Sequence, residues 1–145
     1  MLSTYPAVFF KEENGYSVIF PDLDYLATCG ETLEEAISMA IDCLAGYIYW
    51  LIQDGDSIPA PSPLETTNIP TIAKELDFEY ESGFVNFVSV DVAEYAKIHF
   101  EKSVKKTLTI PAWLNKAALQ QNINFSQVLQ KALINILKPS TNTHK

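Results

Sequence analysis

The chain has 145 residues, 48% of them hydrophobic, which excludes a disordered protein and leaves room for one domain with a core plus a small appendage. Its net charge of −8 is divided unevenly: all 18 acidic residues lie between Met1 and Glu101 against three lysines, a balance of −15, whereas residues 102–145 carry seven lysines and no acid, a balance of +7. This asymmetry predicts different partners for the two parts of the chain, and two cysteines are too few for a disulfide scaffold or a zinc site.

The N-terminal part begins with a predicted hairpin. An aromatic and apolar run of strand length, Tyr5–Lys11, precedes Asn14-Gly15, and this dipeptide predicts the positive-φ pair of a tight turn. Tyr16–Phe20 is then the returning strand, which Pro21 ends because proline cannot donate to a strand ladder. A third short strand is predicted from Leu26 to Cys29.

The clearest helix start in the chain lies at Thr32. We expect Thr32 to be the N-cap, with Glu35 at the third helical position completing a capping box. Apolar residues then recur at helical spacing to about Gln53, where Asp54-Gly55 ends the pattern. The predicted inward face consists of Leu33, Ala36, Ile37, Ala40, Ile41, Leu44 and Ile48.

Four prolines punctuate the segment from Ser57 to Pro70. Because proline lacks a donor and breaks helices, an ordered loop is predicted there. Phe84–Val90 is a further predicted strand, and Asp91 with Glu94 repeats the capping pattern at the start of a helix that extends to about Phe100. Hairpin, helix, strand and helix together predict an α+β fold in which helices pack on a sheet.

The pattern changes at Lys105. In the run KKTLTIP, Lys105, Thr107 and Thr109 alternate with Leu108 and Ile110, which predicts a strand with one polar and one apolar face. We therefore divide the chain into an acidic domain of residues 1–101, a basic segment of residues 102–139 and a terminal tail of residues 140–145.

Two helices are predicted after this strand. Pro111 suits the first turn of a helix that spans about Ala112–Gln121, and Asn122 suits its left-handed end. Asn124 is expected to cap the second helix in a capping box with Gln127. This helix is closed by Lys138 and Pro139, and its apolar stripe consists of Phe125, Val128, Leu129, Ala132, Leu133, Ile136 and Leu137.

The basic segment cannot bury this stripe alone, because about 35 residues are too few for an independent core and a lone strand has no ladder partner. A twofold partner would pair the two strands into a ribbon and enclose a core between four helices. Such a ribbon would present Lys105, Thr107 and Thr109 twice each on a surface that fits the DNA major groove. The alternative is a dimerisation clasp that binds no nucleic acid. The predicted dimer core is Leu108, Ile110, Leu114, Val128, Leu129 and Leu133.

The basic segment resembles the ribbon-helix-helix family of dimeric repressors. The resemblance lies in the motif KKTLTIP, the predicted helix after it and the motif INFSQVLQKAL. The resemblance implies that Lys105, Thr107 and Thr109 read bases. It also implies that the second helix offers its N-terminus, at Asn124, Phe125 and Ser126, to a DNA phosphate. The family often has glycine between the two helices where this chain has Asn122, a residue type that also adopts the left-handed conformation.

The N-terminal part carries a second resemblance. Residues Tyr5–Ser62 resemble the HicB family of antitoxins. The resemblance lies in three motifs, GYSVIFPDL, TCGETLEEAISMAIDCL and GDSIPAPS. The resemblance implies a partial RNase-H-like fold without catalytic residues, metal or cofactor. It also implies three kinds of partner: a small basic HicA-like toxin that cleaves mRNA, the operator DNA of the pair, and further copies in a homodimer or higher even oligomer. One position departs from the family pattern: many members have Pro-Gly after Asp-Leu, where this chain has Asp24-Tyr25.

The residues also suggest two other functions. A ligand-sensing repressor without a toxin partner would use Tyr47, Tyr49 and Trp50 to line a pocket, although such clusters are more often core or interface. A metal-dependent hydrolase would need convergent carboxylates, for which the candidates are Asp22, Asp24, Glu35 and Asp42. Acids are ordinary residues on a solvent-facing helix and at a strand end, so we expect no enzyme.

The start of the chain lacks the features of a signal peptide, since Met1 to Tyr5 carries no basic n-region. The one candidate membrane stretch, Ala36 to Ile52, contains Asp42 and is shorter than the ~20 residues of a bilayer span. We therefore expect a reduced, cytoplasmic protein that has no membrane partner.

Overall fold

The structure, a computed structural model, describes residues 1–138. The chain forms two compact units that divide between Ser103 and Val104. The N-terminal unit contains β1 (Leu2–Glu12), β2 (Gly15–Phe20), β3 (Leu26–Gly30), α1 (Leu33–Asp54), α2 (Ile69–Glu75), β4 (Ser82–Asp91) and α3 (Val92–His99). The tail unit contains α4 (Ala112–Gln120) and α5 (Phe125–Leu137).

The four strands form one antiparallel sheet in the order β3-β2-β1-β4, which confirms the predicted α+β class. The central strand β1 is buried on both faces, as its continuous apolar run suggests. Phe9 faces α1 and lies in a core with Leu44. Phe10 faces the other way and lies in a second core with Ile72 of α2. The sheet is therefore covered by α1 on one face and by the short α2 on the other.

The β1–β2 turn differs from the prediction. Glu12 pairs with Gly15, so the two loop residues are Glu13 and Asn14. Positive φ falls on Gly15 alone, at +128°, and the predicted Asn14-Gly15 pair was therefore wrong. Gly15 adopts this conformation as the first residue of the returning strand. At the other end of β2, Pro21 begins a 3-10 turn and ends the strand as predicted.

The start of α1 follows the prediction in its main feature. Thr32 Oγ1 accepts a hydrogen bond from the Glu35 N–H at 3.1 Å. The Glu35 carboxylate accepts from the Glu31 N–H at 2.7 Å, one residue before the position that a capping box uses. Gly55, with φ of +73°, ends the helix.

The buried face of α1 is narrower than its periodicity predicts. Ala36, Ala40, Leu44, Ala45 and Ile48 are buried. Leu33 and Ile37 are 37% and 41% exposed, so their predicted burial was wrong. Periodicity identifies the side of the helix that faces the sheet, but it does not tell how far the sheet extends beneath that side.

By length and composition α1 could cross a membrane, because it has 22 residues with a mean hydropathy of 1.3. The predicted stretch Ala36–Ile52 was too short, so the argument from length was wrong. The helix nevertheless packs one face on the sheet, and its first turn carries Glu34 and Glu35. A core helix is the arrangement that the structure contains.

The proline-rich segment ends in a helix that was not predicted. Asn68 Oδ1 accepts from the Thr71 N–H at 3.0 Å and so caps α2. Pro70 lies in the first turn, where a missing N–H breaks no helical hydrogen bond. The expectation of a loop as far as Pro70 was wrong because proline breaks helix interiors but not helix starts. The predicted cap of α3 is confirmed by the bond from the Glu94 N–H to Asp91 Oδ1 at 3.2 Å.

The helices of the tail unit lie where they were predicted. Asn122 has φ of +53° after α4, and Asn124 Oδ1 caps α5 by accepting from the Gln127 N–H at 3.1 Å. In this single copy, residues 102–111 form neither helix nor strand. The predicted strand at Lys105–Ile110 depends on a partner strand and stays a prediction. The predicted stop at Pro139 and the tail of residues 140–145 lie outside the described residues.

Gly30 should tolerate no side chain. A Cβ at Gly30 would lie 2.8 Å from Ala36 Cα, at the point where β3 meets the start of α1. We expect Gly30→Ala to lower the free energy of unfolding by about 1–3 kcal/mol. In Gly46→Ala, the control within α1, the new Cβ would lie 3.7 Å from Phe100 Cζ, and alanine favours helix by up to ~1 kcal/mol. Denaturant unfolding of both variants measures the difference, and equal effects would contradict this packing.

Candidate functional site

The N-terminal unit carries an acidic groove beside the β1–β2 turn. Its volume is about 530 Å³, and it is lined by Glu12, Glu13, Glu79, Tyr80 and Glu81. The Glu81 N–H donates to the Lys11 carbonyl at 2.8 Å, which holds the segment before β4 against β1. Four carboxylates here face one lysine, whose Nζ lies 4.0 Å from Glu81. Such a surface attracts basic partners and repels nucleic acid.

The loop Pro59–Ser62, here called the strap, is held against β1 and the turn after β2 by hydrogen bonds that the sequence does not predict. Asp22 accepts two hydrogen bonds from Ser62, one from the backbone N–H at 2.8 Å and one from the hydroxyl at 2.7 Å. The Tyr5 hydroxyl donates to the Pro59 carbonyl. Burial raises the pKa of Tyr5, and the charge of Asp22 raises it further, so this hydroxyl stays a neutral donor. The motifs FPDL and IPAPS were both recognised, but nothing in the sequence pairs them.

The candidate hydrolase carboxylates do not converge. Each accepts a hydrogen bond that stabilises a different local feature. Asp22 binds the strap, Glu35 the Glu31 N–H, and Asp24 and Asp42 the hydroxyls of Tyr47 and Tyr95 at 3.2 and 3.0 Å. Among residues 1–138, no group of three or more histidine, cysteine or acidic side chains could hold a metal ion. The geometry therefore offers no support for the metal-dependent hydrolase.

The aromatic cluster of α1 is a packing feature. Tyr47 and Tyr49 pack against the core between the sheet and α1. The Tyr49 ring centroid lies 5.4 Å from that of Phe100 and 5.5 Å from that of Trp50. Trp50 itself is 62% exposed. In the described part of the chain, Tyr47 and Tyr49 therefore contribute to core packing, and Trp50 lies on the adjacent surface.

The tail unit leaves the predicted dimer core uncovered. Leu108, Ile110, Val128 and Leu129 come together along an open groove of about 490 Å³, which Lys106, Asn115, Phe125, Ser126 and Ala132 also line. Leu114 and Leu133 lie outside this groove, 41% and 48% exposed. Neither helix of the tail unit contains a buried residue. The groove is therefore an exposed apolar surface made of four of the six residues predicted to form the dimer core.

The predicted DNA-contacting residues fall into two groups. Lys105, Thr107 and Thr109 are all exposed, on the segment that precedes α4. Asn124 uses its side-chain oxygen as the cap of α5, while the side chains of Phe125 and Ser126 line the apolar groove. The N–H groups of the first turn of a helix have no partner within the helix, so they are available to an anion.

The contact between the strap and the sheet can be tested by mutation. Asp22→Ala would leave the Ser62 N–H without its acceptor, and we expect it to lower the free energy of unfolding by about 1–3 kcal/mol. Ser62→Ala removes only the hydroxyl bond and should cost less, and the double variant should cost less than the sum of the two. Additive effects in a double-mutant cycle by denaturant unfolding would contradict direct contact.

The sequence of this chain is similar to a known protein family and to individual proteins. The sequence profile of the family described as "HicB_like antitoxin of bacterial toxin-antitoxin system" matches residues 5–132. "Antitoxin HicB 1" of Photorhabdus laumondii is 43% identical over 53 residues, which cover 37% of this chain and 34% of that antitoxin. The match thus spans about a third of that relative's length. An uncharacterized 14.9 kDa protein of Haemophilus phage HP1 is 30% identical over 111 residues, 76% of this chain and 74% of the phage protein.

A solved structure resembles nearly the whole chain. It is described as "Toxin-Antitoxin complex from Streptococcus pneumoniae", and the likeness covers 93% of this chain and 99% of that one. The sequence identity is 34% and the TM-score is 0.60. The likeness therefore extends over both the sheet unit and the helices of the tail unit.

Proposed function

This chain belongs to the HicB-like antitoxin family, and on that premise we propose that it neutralises a small basic toxin that cleaves mRNA and represses the operon that encodes the pair. The observation that carries the proposal is the division of the chain into an acidic unit with its own core and a basic unit without one. Each activity is assigned to one unit. Three further statements stay predictions: that the N-terminal unit has a partial RNase-H-like fold, that the protein is cytoplasmic, and that it is not an enzyme.

Toxin binding is assigned to the N-terminal unit. Residues 1–101 carry a balance of −15, and the groove beside the β1–β2 turn concentrates four of the carboxylates. A basic partner would be steered toward this unit by long-range attraction, which speeds association and weakens with salt. Apolar and hydrogen-bonded contacts would hold the complex once formed. The similar Streptococcus pneumoniae structure is a toxin–antitoxin complex, which supports a toxin partner for this chain by analogy.

Dimerisation is assigned to the tail unit. A second copy would close the apolar groove of Leu108, Ile110, Val128 and Leu129 and would add Leu114 and Leu133 to the shared core. The same pairing would give the Lys105–Ile110 segment its strand partner and complete a ribbon-helix-helix. The assembly is then a homodimer or a higher even oligomer.

Operator binding follows from this dimer. With Leu108 and Ile110 directed to the core, Lys105, Thr107 and Thr109 lie on the opposite face of the ribbon, where threonine can meet a thymine methyl and lysine can donate to guanine. We assign the binding of a DNA phosphate to the N-terminus of α5, at Asn124, Phe125 and Ser126. Because the Phe125 side chain lines the apolar groove, its part in that contact would be played by its backbone N–H.

Alanine substitutions should separate the two activities. Thr107→Ala with Thr109→Ala removes base contacts of about 1–3 kcal/mol each, doubled by twofold symmetry, and leaves the dimer core and the acidic unit intact. We expect operator binding to fail in gel-shift assays while growth rescue from the toxin persists. Lys105→Ala, the comparison variant, should weaken binding with a shallower salt dependence. If the double threonine variant binds its operator like the parent, the tail is only a dimerisation clasp.

The toxin assignment is tested by co-expression with the adjacent reading frame. We expect that frame to encode a basic protein that arrests growth alone and that co-purifies with this chain. Association should slow as salt rises, since steering is screened over about 8–10 Å at 0.1–0.15 M. A matched variant, Glu79→Gln with Glu81→Gln, should slow association without unfolding the unit. Failure to relieve arrest or to co-purify would contradict the antitoxin function.

A further inference from the structure

The outer edge of β4 is unpaired in the described part of the chain, residues 1–138. β4 is the last strand in the order β3-β2-β1-β4 and extends over ten residues, SGFVNFVSVD. It contains no lysine and no proline, and its one charged residue, Asp91, is at the end. Soluble proteins usually block an exposed edge with such residues or with a bulge. This edge lacks them and is therefore competent to pair with another strand.

The strand register identifies which backbone groups of β4 point outward. Phe87 lies opposite Pro6, which has no N–H to donate. Glu12 and Gly15, which close the two-residue loop, direct their backbone groups at each other, so by alternation those of Pro6 point toward β2 and those of Phe87 point away from β1. The outward Phe87 N–H donates to Asn86 Oδ1, the side chain of its own neighbour, at 2.9 Å. Because backbone direction alternates along a strand, the N–H and C=O groups of Val85 and Ser89 point outward too.

This edge is complementary to a second copy of itself. In an antiparallel pair centred on Phe87, the two Phe87 residues exchange both backbone hydrogen bonds in place of the bonds to Asn86 Oδ1, and Val85 lies opposite Ser89. Asp91 lies opposite Gly83, so no like charges meet. A basic partner, in contrast, would favour the groove beside the β1–β2 turn, which is lined by four carboxylates, over β4, which has one carboxylate at its end.

An apolar surface beside the edge is also explained by this pairing. Ile37 of α1 and Phe84 of β4 are each 41% exposed, and with Ile41 they line a shallow pocket of about 140 Å³. Ile37 belongs to the helical stripe whose period predicts burial. The twofold axis of an antiparallel strand pair is perpendicular to the sheet, so the α1 helices of both copies lie on the same face. Each copy then covers the Ile37 surface of the other.

We infer that the N-terminal units of two copies pair through the outer edges of β4 and join two four-stranded sheets into one continuous sheet. This inference rests on the proposed function in one respect: the tail dimer keeps both copies in one assembly and raises their effective concentration. The acidic balance of each unit opposes the approach. Pairing therefore strengthens as salt screens the repulsion, whereas binding of a basic toxin weakens.

Cysteine crosslinking in the full chain tests the pairing. In a variant with Cys29→Ser, Cys43→Ser and Phe87→Cys, the single thiol lies at the proposed twofold axis. A short bismaleimide should join two copies at least ~10-fold more efficiently than in Cys43→Ser alone, where the exposed Cys29 of β3 reports on the opposite edge of the same sheet. The yield should rise with salt.

Ser89 offers a matched pair of blocking variants. Ser89→Pro removes an outward N–H but no backbone bond to β1, and it should abolish the crosslink at position 87, whereas Ser89→Ala keeps that N–H and the crosslink. Both variants lose the bond between the Ser89 hydroxyl and Thr4 Oγ1 of β1, so this loss is matched between them. Equal yields at positions 87 and 29, in a chain that still binds its operator and relieves growth arrest, would overturn the edge pairing and leave the proposed function standing. A crosslink from position 87 to the toxin in place of the second copy would also overturn it. If the unsubstituted chain neither binds its operator nor relieves growth arrest, the result contradicts the proposed function and not the edge pairing.

Discussion

The tail unit cannot cover its own apolar side chains, and the function proposed for the chain depends on this constraint. Helix α5 repeats apolar residues at every turn, yet none of them is buried in one copy, and Ile136 remains 77% exposed. Burial of apolar surface contributes roughly 25 cal/mol per Å², so a stripe of this length favours association strongly. A second copy offers the same stripe and the same unpaired segment before α4. Symmetric pairing is therefore the simplest way to complete both the core and the ribbon.

The N-terminal unit has the opposite property, because β1 is buried on both faces and the sheet has a core on each side. This unit thus has a core within one copy, and its surface carries the acidic groove to which we assign toxin binding. The basic charge lies on the unit whose helices bury no residue in one copy and for which we propose a second copy. The two proposed binding activities would thus use different residues of one short chain, since opposite charges disfavour the wrong partner at each unit.

The sequence predicted best the features that depend on a few neighbouring residues. The caps Thr32, Asp91 and Asn124 were found because a side-chain oxygen and an N–H three residues later are enough to form them. Helix α2 was missed because Pro70 was interpreted as a breaker, although it lies in the first turn. The contact of Asp22 with Ser62 joins residues 40 positions apart, and only the folded sheet brings them together. The strand predicted at Lys105–Ile110 would need a second chain to pair with, and residues 102–111 of one copy form neither helix nor strand.

The central claim is that two copies share one core built from the tail unit. The most direct test is the mass of the full chain in solution at low micromolar concentration, by light scattering, combined with circular dichroism to confirm that the helices are folded. We expect an even multiple of the 16.2 kDa chain, with helix unfolding that shifts to higher temperature as concentration rises. A folded monomer of 16.2 kDa that retains helix α5 would contradict it.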